Sequence, residues 1–290
     1  MSTDTPNTAG DLAGNTAPDA AAGSVPAHGA RVHPRAAGFF TDWRTVSLRA
    51  LRLTWRDPEA FGPALAIPLF FFVVNVGALQ KFVEGNFPAG FDYKAFQLPV
   101  AVVFAVTGVS RATSLVMDIQ GGYLDRLLLT PVRRGTLLLG LMTADFVLIV
   151  ALALPVMILG LILGIHVATG IAGIVLFLLM AGCWGLAFTG FPYAIALRTG
   201  NPTAVNNTFL LFFPFAFLTT AYLPKEAMTG WLATAADLNP TTYLLAGMRG
   251  LLQTGWDWGE LGKAILAIVL MGSISFTLAF RALRGRVKRN

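Results

Sequence analysis

The residues of this chain best suited to act on another molecule lie in one short run, Asp118 to Gly135, which reads DIQGGYLDRLLLTPVRRG. It sets Asp118, Asp125, Arg126, Arg133 and Arg134 between two long apolar stretches. Gly121 and Gly122 interrupt the preceding helix, YLDRLLLT forms a short amphipathic helix, and Pro131 turns the chain into the next apolar stretch. Leu127, Leu128 and Leu129 pin that helix while its charges project away. The chemistry this allows is recognition rather than bond making: a stiff, charged element of this kind can be gripped and pushed.

Bond-making sets are missing from the sequence. No glycine-rich loop ends in Gly-Lys-Ser or Gly-Lys-Thr to cradle nucleotide phosphates, and neither a Gly-x-Ser-x-Gly elbow nor a His-Glu-x-x-His pair occurs. Asp118, Asp125 and Asp145 stand singly, so no aspartate cluster holds a divalent cation against a diphosphate. His28, His33 and His166 are too scattered for a metal site, and the single Cys183 can form no intrachain disulfide. The chain is therefore expected to carry no catalytic residue, metal or cofactor of its own.

The elements that position the charged run are long and apolar. The 290 residues are 55% hydrophobic and 12% charged, with a mean hydropathy of +0.66, far from a soluble domain. Six stretches are long enough to cross a hydrocarbon core of roughly 30 Å: 60–79, 98–117, 137–164, 171–197, 204–223 and 264–282. They must be helices, because in lipid each backbone polar group needs a partner within its own segment. The predicted fold is an all-α polytopic membrane protein with six transmembrane helices, organised as a disordered tail over 1–38, a surface helix over 39–58 and a membrane domain over 59–290. Residues 1–38 are rich in Ala, Gly, Pro, Thr and Asp without apolar period.

Basic residues fix the orientation. Arg44, Arg49, Arg52, Arg56, Arg126, Arg133, Arg134, Arg198 and the cluster Arg281 to Arg289 fall on the side of the termini, against Lys81, Lys94, Lys225, Arg249 and Lys263 on the other. Both termini are thus expected in the cytoplasm of an inner-membrane protein. The net charge of +6 follows from this arrangement and requires no nucleic-acid partner. Before the first span, FFTDWRTVSLRALRLTWRDP predicts a helix in the membrane surface, with Arg49, Arg52 and Arg56 on one face and Trp43, Val46, Ala50 and Leu53 on another. That basic face either anchors to lipid headgroups or docks a cytoplasmic partner.

Within the spans, the central thirds hold almost no carboxylates, which a proton- or sodium-coupled carrier would need. Arg111 lies about 9 Å from the cytoplasmic end of the second span and Asp145 about 12 Å from that end of the third, counting 1.5 Å per residue. They either form an intramembrane ion pair or act separately, Arg111 reaching headgroups and Asp145 a cytoplasmic vestibule. The fifth span carries Phe212, Phe213 and Phe217 around Pro214, with Asn207 and Thr219 toward its ends; this stripe is helix packing or the wall of a binding cavity. Asn75 and Pro155 serve either a kink or local hydrogen bonding. Residues 224–262 are too short and polar for two crossings and read as a helical outer gate that dips into the membrane, broken at Asn239-Pro240.

With these residues in view, the chain resembles the permease subunits of type-2 ATP-binding-cassette exporters, in particular the daunorubicin-resistance branch. Asp118, Gly122, Asp125-Arg126 and Pro131 match the first of two motifs. Leu223-Pro224, Trp231-Leu232, Asn239-Pro240, Tyr243, Arg249 and Leu251-Leu252 match the second, an outer-loop signature. The likeness extends from about Phe40 to the C terminus. It implies that residues 121–134 are a coupling helix seated in a separate nucleotide-binding subunit, through Asp118, Gly122, Asp125, Arg126, Leu127, Pro131, Arg133 and Arg134. It implies that the surface helix packs on that subunit, that ATP and Mg are bound there, and that two permeases pair with two ATPases. A hydrophobic or amphipathic compound would then pass between the permeases, touching Phe212, Phe213 and Phe217, with Asn239, Pro240, Tyr243 and Arg249 in the outer gate. Gln120, Gly121 and Leu128 stand where relatives often carry bases, and Ala246 where Glu is common, which removes an expected ion-pair partner for Arg249. The rival from another class is an ATP-independent membrane protein, a secondary carrier or a lipid-modifying enzyme.

Overall fold

The computed structural model describes residues 38–54, 61–88, 90–107, 109–122 and 134–287. Their regular structure is helical throughout: α1 Phe39–Thr54, α2 Phe61–Asn86, α3 Tyr93–Val106, α4 Ala112–Gln120, α5 Arg134–Ile162, α6 Gly170–Thr199, α7 Pro202–Asn206, α8 Phe209–Phe217, α9 Gly230–Leu238, α10 Pro240–Gln253 and α11 Trp258–Val287. Four segments are long and apolar enough to cross a membrane, at Ala64–Asn86, Leu138–Ile162, Gly170–Thr199 and Trp258–Arg286. They coincide with the expected first, third, fourth and sixth spans.

The second and fifth spans, expected as unbroken helices, are each divided. The second becomes α3 and α4, separated where Thr107 leaves the helical region at φ −83° and ψ 131°. Thr107 turns its hydroxyl back to the Val103 carbonyl at 2.6 Å and accepts a hydrogen bond from Trp184 Nε1 at 3.1 Å, while Ser110 Oγ accepts from the Ala112 N–H. Hydroxyl side chains here compete with the helical ladder for backbone partners. The fifth becomes α7 and α8, and α8 stops at Phe217, six residues short of the expected end. The last long helix starts at Trp258, inside the expected outer loop, because Asp257 accepts from the N–H groups of Gly259 and Glu260 at 2.9 and 3.1 Å.

Helix α6 is the central post. Trp184, Phe177 and Tyr193 are fully buried on it, and it packs against α11, α5 and α3. Its small residues allow that closeness: a Cβ on Gly190 would lie 2.5 Å from the Ser275 carbonyl carbon of α11. Such approach matters in a bilayer, where helices gain from van der Waals contact rather than from escape from water. Helix α1 lies along the start of α5. There Gly140 admits Val46, whose Cγ1 would meet an added Cβ at 2.6 Å, and Trp43 Nε1 donates to Thr143 Oγ1 at 3.0 Å. Ala50 is buried with the α4 and α5 apolar groups, while Arg49 and Arg52 are exposed, as the sequence periodicity requires.

Candidate functional site

The expected coupling run is only partly within the described residues. Asp125, Arg126, Leu127, Pro131 and Arg133 lie outside them, as does Arg56 of the surface helix; Arg134 opens α5. At the near edge, Asp118 sits half-buried on the last turn of α4. Gly122 adopts φ +67°, the left-handed conformation that glycine takes without strain, and its N–H closes on the Ile119 carbonyl at 3.1 Å. Gln120 Nε2 donates to the Gly200 carbonyl at 3.0 Å, fixing the end of α4 to the turn after α6.

Arg111 and Asp145 do meet, but not as the side-chain ion pair considered from the sequence. Asp145, fully buried, accepts the backbone N–H of Arg111 at 3.1 Å on one oxygen and the Tyr193 hydroxyl at 2.6 Å on the other. The helix break explains this: Arg111 is the first residue before α4, so its N–H is one of the donors a helix start leaves open. A carboxylate there also faces the positive end of the helix dipole. The Arg111 guanidinium turns instead to the Ala50 carbonyl of α1. Four elements therefore converge at the start of α4: α1, the α3–α4 break, α5 and α6. Tyr193 carried no sequence signal, since only the fold brings it 48 positions back to Asp145.

A cavity of about 420 Å³ opens between α2, α3 and the end of α8. Of the five residues expected at a substrate cavity, Phe213 and Phe217 line it. Phe212 is fully buried and packs edge-on against Phe104 and Phe188. Asn207 is exposed away from the cavity, and Thr219 is buried with its hydroxyl on the Ala216 carbonyl. A helix ending at Phe217 cannot carry the stripe onward, so only one edge of it reaches the cavity. Most of the lining was not foreseen: Ile67, Phe71 and Asn75 from α2, Gln97 and Phe104 from α3, and Tyr222. Asn75, a polar residue amid VVNVG, was the available signal.

Two residues of the expected outer gate, Asn239 and Arg249, clamp the end of α8. Asn239 caps α10 by accepting the Thr241 N–H at 2.9 Å, and its Nδ2 donates to the carbonyls of Phe215 and Leu218 at 2.6 and 2.8 Å. Pro240 occupies the first helical position, where the missing N–H costs nothing. Arg249 is buried on α10, donating to Thr220 Oγ1 at 3.0 Å, the Thr220 carbonyl at 2.8 Å and the Phe96 carbonyl at 3.0 Å, with its guanidinium 3.5 Å from the Phe96 ring centroid. Carbonyls replace the absent carboxylate. Tyr243 stands apart from this clamp, its hydroxyl on the Asp237 carbonyl at 2.7 Å. At the exposed rim, Asp237 also pairs with Lys225 at 2.5 Å and raises the lysine pKa above its ordinary value.

Residues 41–252 match the family model described as ABC-2 type transporter. The chain is 30% identical over 203 residues to the daunorubicin resistance ABC transporter permease protein DrrB1 of Streptomyces coeruleorubidus, covering 69% of this chain and 70% of that one. It is 24% identical over 226 residues to a protein of Mycobacterium tuberculosis described as a doxorubicin resistance ABC transporter permease, DrrC, covering 76% and 80%. A transport permease of Pyropia yezoensis, ycf38, is 25% identical over 267 residues, covering 84% and 89%.

Proposed function

The chain belongs to the ABC-2 type transporter family, and from that premise we propose that it exports a hydrophobic or amphipathic compound, drug or lipid-like, across an inner membrane. It is a transmembrane permease subunit, and the family implies a separate ATP-binding partner. ATP and Mg belong to that partner. In our reading α3–α4 and α7–α8 complete six crossings, both termini are cytoplasmic, α1 lies in the membrane surface, and two copies of the chain pair around the transport path. Residues 224–257 form the outer gate. The observation that carries the proposal is that the family match, over residues 41–252, encloses both the charged run and the cavity.

Energy enters through a contact whose strength differs between two states of the ATPase. The run 121–134 joins the end of α4 to the start of α5, the two helices that the hydrogen bonds of Arg111 and Asp145 tie to α1 and α6. A push there moves the break below α3, one wall of the cavity. Asp125→Arg or Arg126→Glu is expected to abolish nucleotide-dependent export while leaving expression and partner-free folding intact; normal export by both variants would refute the coupling assignment. Orientation is tested in a Cys183→Ala background. Glu226→Cys should react with an impermeant maleimide from outside and Thr130→Cys only after the cells are opened, and the reverse pattern would overturn the topology.

A further inference from the structure

The cavity has a charge pattern that restricts its ligand. No Asp, Glu, Lys or Arg is among the residues lining it. Its walls are aliphatic and aromatic, with Phe213, Phe217 and Tyr222 stacked in series at centroid distances of 5.8 Å. Two amides interrupt them. Gln97, 2% exposed, donates through Nε2 to the Tyr93 hydroxyl at 2.7 Å; among the described residues its carbonyl oxygen has no partner. Asn75 stands half-buried on the opposite wall, its amide likewise without a partner among the described residues.

Behind this wall lies Arg249. Its hydrogen bonds go to neutral oxygens of Phe96 and Thr220, and the ion pairs among the described residues, Lys225 with Asp237 and Lys263 with Glu260, do not include it. The acids at the same end are engaged otherwise, Glu84 with the Tyr93 N–H and Asp92 with the start of α3. The Arg249 guanidinium bonds Phe96, which adjoins Gln97, and Thr220, two positions from Tyr222, so it stands within about 10 Å of residues that line the cavity. At that separation and an effective dielectric of about 20, it disfavours a second positive charge roughly fifteenfold. An anion gains the same attraction but must leave water for a site whose donors, two amides and the Tyr222 hydroxyl, are all uncharged.

We propose that this cavity selects an uncharged amphiphile presenting a hydrogen-bond donor, a hydroxyl or amide N–H, to Gln97 and Asn75, and that Arg249 excludes lipophilic cations from it. This rests on reading the cavity as the permease's compound site. A donor on the ligand satisfies an oxygen that the protein leaves open, and such unpaired groups in apolar surroundings are strong discriminators.

The test uses the full chain in lipid nanodiscs and three photoreactive probes sharing one diazirine-bearing alkyl chain: the alcohol, its methyl ether and its trimethylammonium analogue. Saturable labelling is mapped by mass spectrometry. The alcohol should label the walls at 64–75 and 213–222 at a concentration at least about fivefold below the ether and about tenfold below the cation. Gln97→Leu should erase the preference for alcohol over ether. Asn75→Asp, at the cavity wall, should bring the cation level with the alcohol, and Arg249→Gln should narrow the same gap. Should Arg249→Gln fail to fold, the native ratio of cation to alcohol labelling still decides, since the exclusion requires it to be low. Equal labelling by alcohol and cation in the native protein, or labelling confined to other surfaces because a second copy fills the cavity, overturns the proposal. Labelling needs no ATPase, so selective labelling without export would refute the exporter reading alone, and export with unselective labelling would refute this inference alone.

Discussion

Replacing Asn239 separates the two jobs of one side chain at the start of α10. Its Oδ1 caps α10 and its Nδ2 holds two carbonyls at the end of α8, all within 2.6 to 2.9 Å. Serine keeps an oxygen for the cap but cannot span to Phe215 and Leu218. Each buried carbonyl left alone costs about 1–3 kcal/mol, falling toward about 0.6 kcal/mol where a membrane protein finds a substitute partner. Asn239 is buried, so the larger figure applies in part, and Asn239→Ser should lose about 2–4 kcal/mol. Asn239→Ala, which also removes the cap, should lose about 1 kcal/mol more. Reversible unfolding in mixed micelles on titration with sodium dodecyl sulfate, followed by far-ultraviolet circular dichroism, reads both values. Asn86→Ser is the control, since that amide reaches one exposed carbonyl, and should shift stability by less than about 0.5 kcal/mol. If Asn239→Ser also stays within about 0.5 kcal/mol of the native chain, the clamp does not hold α8 and the reasoning fails.

Tyr193→Phe should destabilise by about 1.5–3 kcal/mol, because it removes a 2.6 Å hydrogen bond to a buried carboxylate. In double-mutant cycles with Asp145→Asn, Tyr193→Phe should couple more strongly than Arg111→Leu, since Arg111 offers Asp145 its backbone N–H; a larger coupling for Arg111 would restore the side-chain ion pair. Gly190→Ala should cost about 1–3 kcal/mol by pressing on the Ser275 backbone, whereas Gly77→Ala, with open space around it, should be neutral or stabilising by up to about 1 kcal/mol, both read by the same unfolding assay. Trp43→Phe should cost about 0.5–1.5 kcal/mol through loss of the bond to Thr143, and unchanged stability would show that α1 is not held by it.

Whatever depends on composition and period could be read from the sequence. A bilayer demands long apolar helices, so the four helices long and apolar enough to cross it were visible at 60–79, 137–164, 171–197 and 264–282. The amphipathic period placed Ala50 inward and Arg49 and Arg52 outward on α1. The Asn239-Pro240 break was legible because a cap and a first-turn proline are local signals. The interruptions of the second and fifth spans were not, because they depend on partners far along the chain: Trp184 for Thr107, Asp145 for Arg111, Asn239 and Arg249 for the end of α8. The same holds for the cavity. A stripe of phenylalanines gives the period of a helix but not which edge a neighbour covers, so Phe212 went into the core and Phe217 into the cavity wall only when α3 and α6 packed against them. The sequence determined the solvent in which this protein folds; tertiary packing decided which polar groups within it remained unpaired, because their partners come from distant helices.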